Sequence, residues 1–313
     1  MLPLNGVLLD LATIDQDNPP CPHWQRHAHT APGDTLARLR QAQVVVTNKV
    51  VLDRDILAGA EDLRLVCIAA TGTNNVDLEA ARALGIAVTN VVRYATSAVV
   101  QHVFALILAL TIRLPDCQCA VSAGAWQRHD RFCLMDYPIR ELAGRTLGIV
   151  GFGELGQAVA RVAEAFGMRI LVAQRPGGPP REGRLPLDEL LPQVDVLSLH
   201  CPLTDATRGL IGARELGLMR REALLINTAR GGIVDETALA EALRRGVIGG
   251  AGIDVLSREP PCEGNPLLAP DIPNLIVTPH TAWASREARQ RVVNEVAANI
   301  DAFLAGQTRN RVA

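Results

Sequence analysis

The sequence predicts an α/β protein made of two doubly wound domains, each built on a parallel sheet. Three observations lead there. The chain has 313 residues, about twice the length of a common domain, so two domains are the starting expectation. Short β-branched runs alternate with stretches of helical period, the pattern of strands joined by crossover helices. One of those runs, 147–150, passes into a glycine-rich turn, Gly151-Phe152-Gly153-Glu154-Leu155-Gly156, that opens a helix.

In the first third the strand candidates are 7–9, 44–47, 65–70 and 87–89. Helices fall around 35–41 and 78–84, the second ended by Gly85 at a C-cap position. A long helix over 96–114, stopped by Pro115, leads through an irregular segment at 116–140 into a second series of strands. These are 147–150, 168–173, 196–199, 223–227, 252–255 and 275–277. Asp235 is placed to cap a helix over 236–245, closed by Gly246. Ser285 starts a last helix that runs to about 304 before Gly306. Returning to the first unit, this helix would make the first domain discontinuous. The Pro/Gly-rich piece 175–184 reads as a surface loop, and no internal repeat or low-complexity tract interrupts the pattern.

Composition excludes several classes. Hydrophobic residues make up 48% and charged residues 20% of the chain, the balance of a globular protein with ordinary cores. Lys plus Arg is 31 against 33 for Asp plus Glu, with no basic run. A nucleic-acid partner is therefore not expected, because phosphate binding needs concentrated positive charge. The longest apolar stretch, 103–112, is too short to span a bilayer and reads as a buried helix. The N-terminus, MLPLNGVLLD, lacks the basic region of a secretory signal. Seven scattered cysteines form no CxxC pair. Cys117 and Cys119 have no partners at ligand spacing, so reduced thiols, no metal and a cytoplasmic location are expected.

The three glycines of the turn have separate tasks. One makes the tight turn, one lets backbone approach a pyrophosphate, and one lets helix and strand pack closely. The helix N-terminus adds free N–H groups and a positive dipole end. In this strand–turn–helix setting, with another strand following, the motif points to a dinucleotide. For NAD, the next strand should end in a carboxylate about twenty residues on. The sequence offers Gln174-Arg175 instead. Gln174 spares a 2′-phosphate the repulsion of a carboxylate, and Arg175 can pair with it. The cofactor expectation is NAD(P), with NADP favoured over NAD; the other reading of Arg175 is a solvated loop cation.

Three further residues follow strand ends, where ligands collect in an open parallel sheet. Arg230 follows 224–227, Glu259 follows the strand that holds Asp254, and His280 follows Thr278-Pro279. A planar guanidinium grips a carboxylate bidentately. An imidazole titrates near working pH and suits a general acid. A carboxylate beside it favours imidazolium, each pKa unit being worth ~1.4 kcal/mol. Singly each has a bland reading as a structural or solvated residue. As a set on successive strand ends they suggest hydride transfer to a keto acid.

The stretches ATGTNNVD (70–77), Gly151–Gly156, NTARGGIVD (227–235), GIDVLSREP (252–260) and Thr278-Pro279-His280 resemble the D-isomer-specific 2-hydroxyacid dehydrogenase family over essentially the whole chain. The segment 90–102 is most similar to the glycerate dehydrogenase/hydroxypyruvate reductase branch. The resemblance implies a Rossmann cofactor domain at 96–284, a flavodoxin-like substrate domain from 1–95 plus 285–313, and a homodimer. It implies catalytic roles for Arg230, Glu259 and His280, and substrate contacts from Thr73, Asn74 and Asn75 beside Arg230 and His280. Asp254 is expected to meet the nicotinamide amide. Thr96, Gly151, Gly153, Glu154, Leu155, Gly156, His200, Cys201, Pro202, Thr207, Thr228 and Ala229 are expected along the cofactor, with Gln174 and Arg175 at its ribose. The implied reaction interconverts a small 2-keto acid, such as hydroxypyruvate or glyoxylate, with its D-2-hydroxy acid. Open alternatives are a regulatory protein holding a dinucleotide on the same fold, or a dehydrogenase for a bulkier keto acid, formate or phosphite. Trp126 and Trp283 either shape the pocket or pack internally.

Overall fold

The computed structural model describes residues 5–14 and 24–313. Cys21 and the first four residues of the N-terminal apolar segment lie outside the described residues. The chain divides into two compact units, Met1–Ala95 with Ala284–Ala313, and Thr96–Trp283.

The first unit holds β1 (Gly6–Leu8), β2 (Gln25–Arg26), α1 (Thr35–Leu39), β3 (Val44–Thr47), α2 (Arg54–Gly59), β4 (Leu65–Ile68), α3 (Leu78–Ala83) and β5 (Ala87–Thr89). The second holds α4 (Thr96–Thr111), α5 (Leu114–Ser122), β6 (Thr146–Val150), α6 (Glu154–Ala165), β7 (Arg169–Val172), α7 (Leu187–Leu190), β8 (Val196–Leu199), α8 (Ala213–Leu218), β9 (Leu224–Asn227), α9 (Glu236–Arg244), β10 (Gly250–Ile253) and β11 (Leu275–Val277). The last helix, α10 (Arg286–Leu304), belongs to the first unit.

Both sheets are parallel throughout. The first runs β2-β1-β3-β4-β5, the flavodoxin-like order, and the second β11-β10-β9-β8-β6-β7, which contains the Rossmann order once the parallel Ala173–Leu185 bridge beside β7 is counted as its outer strand. In the first sheet β1, β3, β4 and β5 divide their side chains between two cores. Val45, Val66 and Ile68 face one way with Leu39 and Leu57, while Val44, Val46, Leu65 and Cys67 face the other with Val292, Val296 and Ile300 of α10. Helices on both faces explain why these strands read as unbroken apolar runs instead of alternating ones. In the second sheet the direction of winding reverses between β6 and β8. That reversal places the glycine turn, which follows β6, at the switch point where such sheets bind ligands.

Two expectations are corrected. The long helix ends at Thr111, not 114, and Pro115 starts a helix instead of stopping one. Arg113 takes a left-handed conformation (φ 56°), and α5 begins with the proline in its first turn, where a missing N–H costs nothing. The segment 116–140 is thus helical in its first part. The strand expected at 252–255 is displaced to Gly250–Ile253. A Cβ on Gly250 would lie 2.9 Å from the Asn274 carbonyl oxygen, so glycine there serves close strand approach and not a turn. The caps read from sequence are present: Asp235 accepts from the Ala238 N–H at 3.0 Å, and Ser285 accepts from the Ala288 N–H at 3.1 Å.

Candidate active site

The glycine turn shows why each glycine is needed. Gly151 has φ 94°, and a Cβ there would sit 2.6 Å from the backbone of His200 and Cys201. A Cβ on Gly156 would be 2.2 Å from the Gly151 carbonyl oxygen, so α6 could not begin where it does. At Gly153 the added carbon would meet nothing within 4 Å among the described residues beyond its own chain neighbours. The space beside the N-terminus of α6 is open, as a pyrophosphate requires. Among the described residues the buried hydroxyl of Thr228 has no partner, an orphan that a bound ligand can satisfy. Donor and shape requirements of a dinucleotide are therefore met.

Other residues expected along the cofactor have visible commitments. Thr96 Oγ1 donates to Glu154 Oε1 at 2.5 Å, tying α4 to the first turn of α6. His200 Nε2 lies 2.9 Å from Ser198 Oγ, and desolvation pushes its imidazole down to about 4, so it is neutral at working pH. Burial pushes the Cys201 thiol up to about 11, making it an inert wall and not a nucleophile. Thr207 closes the turn after Pro202, accepting from the Thr204 N–H and donating to the Pro202 carbonyl, both at 2.7 Å. Gln174 also has a structural task. Its amide donates to the carbonyls of Arg181 and Arg184 at 3.1 and 3.2 Å and accepts from the Arg181 N–H at 3.0 Å, closing the 175–184 loop. Arg175, exposed just beyond, stands at the end of β7, next to β6 in the sheet.

The three ionisable candidates lie past the C-terminal ends of β9, β10 and β11, which are adjacent and in register, Ile253 pairing with Asn227 and Val277. His280 Nδ1 is 2.5 Å from Glu259 Oε2. The other oxygen of Glu259 accepts from the Leu256 N–H at 2.8 Å. The Glu259 loop is pinned in turn by Glu236, which accepts from the Ser257 N–H, its hydroxyl and Asn265 Nδ2 at 2.6–2.7 Å. Arg230 is brought alongside by Gly231: a Cβ there would be 1.8 Å from the Leu256 carbonyl oxygen, so the two loops touch through backbone. Asn227 Nδ2 donates to the Arg230 carbonyl at 3.0 Å, and Arg230 Nη1 donates to the Ala229 carbonyl at 2.7 Å. Among the described residues no carboxylate pairs with this guanidinium, so its charge is available to an anion.

His280 adopts φ 55°, a left-handed conformation that costs a non-glycine residue roughly 1–2 kcal/mol. The surrounding loop holds it there. The His280 N–H donates to the Asp254 carbonyl at 2.8 Å. Buried Asp254 accepts from Thr278 Oγ1 at 2.5 Å and from the N–H groups of Thr281 and Ala282 at 2.9 Å each. Its carboxylate thus shapes the histidine loop, a task additional to the nicotinamide contact expected of it.

In the first unit, Thr73, Asn74 and Asn75 follow β4. Asn75 is buried and donates through Nδ2 to the Val50 carbonyl at 3.0 Å, leaving Thr73 and Asn74 at the surface of the turn. Trp126 is 51% exposed, its indole N–H donating to the Phe132 carbonyl, so internal packing does not describe it. Among the described residues no group of three or more His, Cys, Asp or Glu side chains is arranged to hold a metal, and no single helix is long and apolar enough to cross a membrane.

A glycine cradle at a switch point, with an imidazole–carboxylate pair and, on a neighbouring strand end, a guanidinium that no carboxylate among the described residues pairs, defines a dinucleotide-linked oxidoreductase. Residues 104–282 match the model of the D-isomer specific 2-hydroxyacid dehydrogenase NAD-binding domain. A glycerate dehydrogenase of Methylorubrum extorquens is 45% identical over 96% of this chain and 95% of its own. A hydroxypyruvate reductase of Blautia hydrogenotrophica is 36% identical over 93% of this chain and 91% of its own. Among solved structures, an NADPH-dependent glyoxylate/hydroxypyruvate reductase of Sinorhizobium meliloti, in complex with NADP and malonate, superposes with a TM-score of 0.84 at 30% identity, covering 99% of this chain and 97% of its own. The chain belongs to the D-isomer specific 2-hydroxyacid dehydrogenase family and is an NAD(P)-dependent enzyme.

Sequence reasoning missed Glu236 and His102. Glu236 reads as an ordinary first-turn helix carboxylate. His102 had a signal, a polar residue one turn before Leu106 on an apolar helix, but its contacts come from residues more than 150 positions away. Because the α6–turn contact leaves no room for a side chain, Gly156→Val should abolish dinucleotide binding. Titration of the variant with NADPH and NADH by nucleotide fluorescence checks this, with binding like that of the parent protein as the contrary result.

Proposed function

We propose that this enzyme reduces hydroxypyruvate or glyoxylate to D-glycerate or glycolate, with NADPH preferred over NADH and Arg230, Glu259 and His280 as its catalytic residues. The observation that carries the reading is the 2.5 Å contact between His280 Nδ1 and Glu259 Oε2, on the strand end beside that of Arg230. Glu259 can only accept when ionised, so Nδ1 carries a proton and Nε2 is the ring atom left for the substrate. The Leu256 N–H on its other oxygen fixes the carboxylate's orientation.

The unpaired guanidinium of Arg230 takes the keto acid's carboxylate and draws electron density from the adjoining carbonyl. When bound, reduced nicotinamide would supply the hydride that the carbonyl carbon accepts. As charge grows on the carbonyl oxygen, His280 delivers its Nε2 proton there, giving the hydroxy acid and leaving a neutral imidazole still held by Glu259. The relatives named glycerate dehydrogenase and hydroxypyruvate reductase support this substrate choice. NADP is supported by Gln174-Arg175 in place of a terminal carboxylate and by the NADP bound to the Sinorhizobium relative.

A homodimer is part of the proposal, formed through the segment 112–139. Ile112, Leu114, Val121, Trp126, Phe132, Met135 and Ile139 are all exposed, Phe132 by 89% and Met135 by 75%. A concentration of large apolar side chains in one stretch is the mark of a surface covered in the assembly.

His280→Ala should still bind NADPH but lose roughly 10²–10⁴ in kcat with hydroxypyruvate, followed by nicotinamide absorbance; near-normal turnover would remove His280 as the acid. Arg175→Ala should lower kcat/KM for NADPH by about ten- to a hundredfold, as expected for one charge-assisted bond of ~1.5–3 kcal/mol, and leave NADH unaffected. Equal loss with both cofactors would refute the 2′-phosphate role. Light scattering should report twice the chain mass for the native protein and a single chain for Phe132→Asp combined with Met135→Asp.

A further inference from the structure

We infer that His102, on α4, is a positioning residue that holds the His280 loop in its working conformation through Thr278 and Asp254. The inference rests on the proposed role of His280 as the acid. His102 Nε2 lies 2.9 Å from Thr278 Oγ1 and 3.5 Å from Asp254 Oδ1, and its side chain is 21% exposed. Thr278 Oγ1 is in turn 2.5 Å from Asp254 Oδ1.

Proton bookkeeping orders this chain. The carboxylate of Asp254 can only accept, so the single hydroxyl proton of Thr278 points at Oδ1. The remaining contact of Thr278 must then be filled by a donor, which places a proton on His102 Nε2. The imidazole therefore donates into a relay, His102 to Thr278 to Asp254. Asp254 is only 1% exposed and gathers two backbone N–H groups from Thr281 and Ala282 on the far side of His280. Thr278 and Thr281 flank Pro279-His280, so both sides of the left-handed residue are drawn onto one carboxylate. The third component comes from a different element.

That element is rigidly placed. His102 and Leu106 are four residues apart and share a helix face. A Cβ on Gly252 would lie 2.9 Å from Leu106 Cβ, so α4 packs directly on β10, the strand that leads into Asp254. His102 is thereby set over the end of β10 by a backbone-close contact that glycine alone permits. Losing its N–H would leave Thr278 Oγ1 without its buried donor and the Asp254 charge less well satisfied. The left-handed conformation of His280 would then be under-determined, and Nε2 would wander from its place while folding and dinucleotide binding persist. A displacement of about 1 Å at a reacting group can cost on the order of a hundredfold in rate.

His102→Leu removes the donor, His102→Gln restores an N–H at a similar reach, and Thr278→Val cuts the middle of the relay. Thermal melting and NADPH titration of the three variants should stay close to the parent. With saturating hydroxypyruvate, kcat should fall about ten- to a hundredfold in His102→Leu and Thr278→Val. The Gln variant should recover to within about threefold, and the Leu/Val double variant should be no worse than either single one. A second readout needs no turnover: the downfield imidazole N–H proton of His280, held by Glu259, should be sharp in parent and His102→Gln and broadened or lost in His102→Leu. Unchanged kcat and an unchanged resonance in His102→Leu would overturn the inference, as would independent, multiplying losses in the double variant. If the parent shows the resonance but turns over no keto acid, the functional proposal fails while the loop clamp still stands on the resonance.

Discussion

Asp254 is a carboxylate placed where water scarcely reaches, and that placement organises the site. A charge so buried is tolerable only when surrounding donors satisfy it. Here the donors are a hydroxyl and two backbone N–H groups from the five-residue stretch after β11. Meeting the carboxylate's needs forces that stretch to wrap around it, and wrapping puts His280 at its apex in a conformation it would not otherwise keep. The imidazole is then presented to Glu259 without having to search for it. Stability of the fold and aim of the proposed acid are, at this point, one set of hydrogen bonds.

The parallel sheet supplies the rest of the geometry. Every strand of the second unit ends on the same edge, so residues far apart in sequence arrive together without any special contact between their segments. Close backbone approach then refines the placement. Gly231 lets the Arg230 loop touch the Leu256 loop, Gly156 lets α6 start against Gly151, and Gly252 lets α4 lie on β10. Glycine at these positions is a matter of clearance more than of flexibility, since the atoms a side chain would meet are backbone or close-packed side-chain carbon.

Electrostatic commitments separate residues that could look alike. Arg230 has no acidic partner among the described residues, whereas Arg214 and Arg244 are occupied by Asp188 and Asp271. Exposed pairs of that kind contribute little to stability; their effect is to leave Arg230 distinct. His280 and His200 differ in the same way. One faces a carboxylate, while the other is desolvated against a serine hydroxyl and driven neutral. The same side chain becomes a candidate proton donor in one place and inert lining in the other.

The sequence by itself determined the fold class, the positions of most strands to within a residue or two, the glycine turn, the helix caps at Asp235 and Ser285, and the placing of Arg230, Glu259 and His280 after successive strand ends. All of these are local: periodicity, turn chemistry and capping act over a few residues, and strand ends in a parallel sheet fall on a known edge. Tertiary structure decided what depends on distant partners. It turned Pro115 from a helix stop into a helix start, shifted β10 by two residues, committed Gln174 to its own loop, and gave Asp254 the histidine loop to hold. It also brought His102 onto Thr278, 176 residues away along the chain. Nothing within hydrogen-bonding reach along the chain announces such contacts, because burial and donor supply are properties of the packed whole.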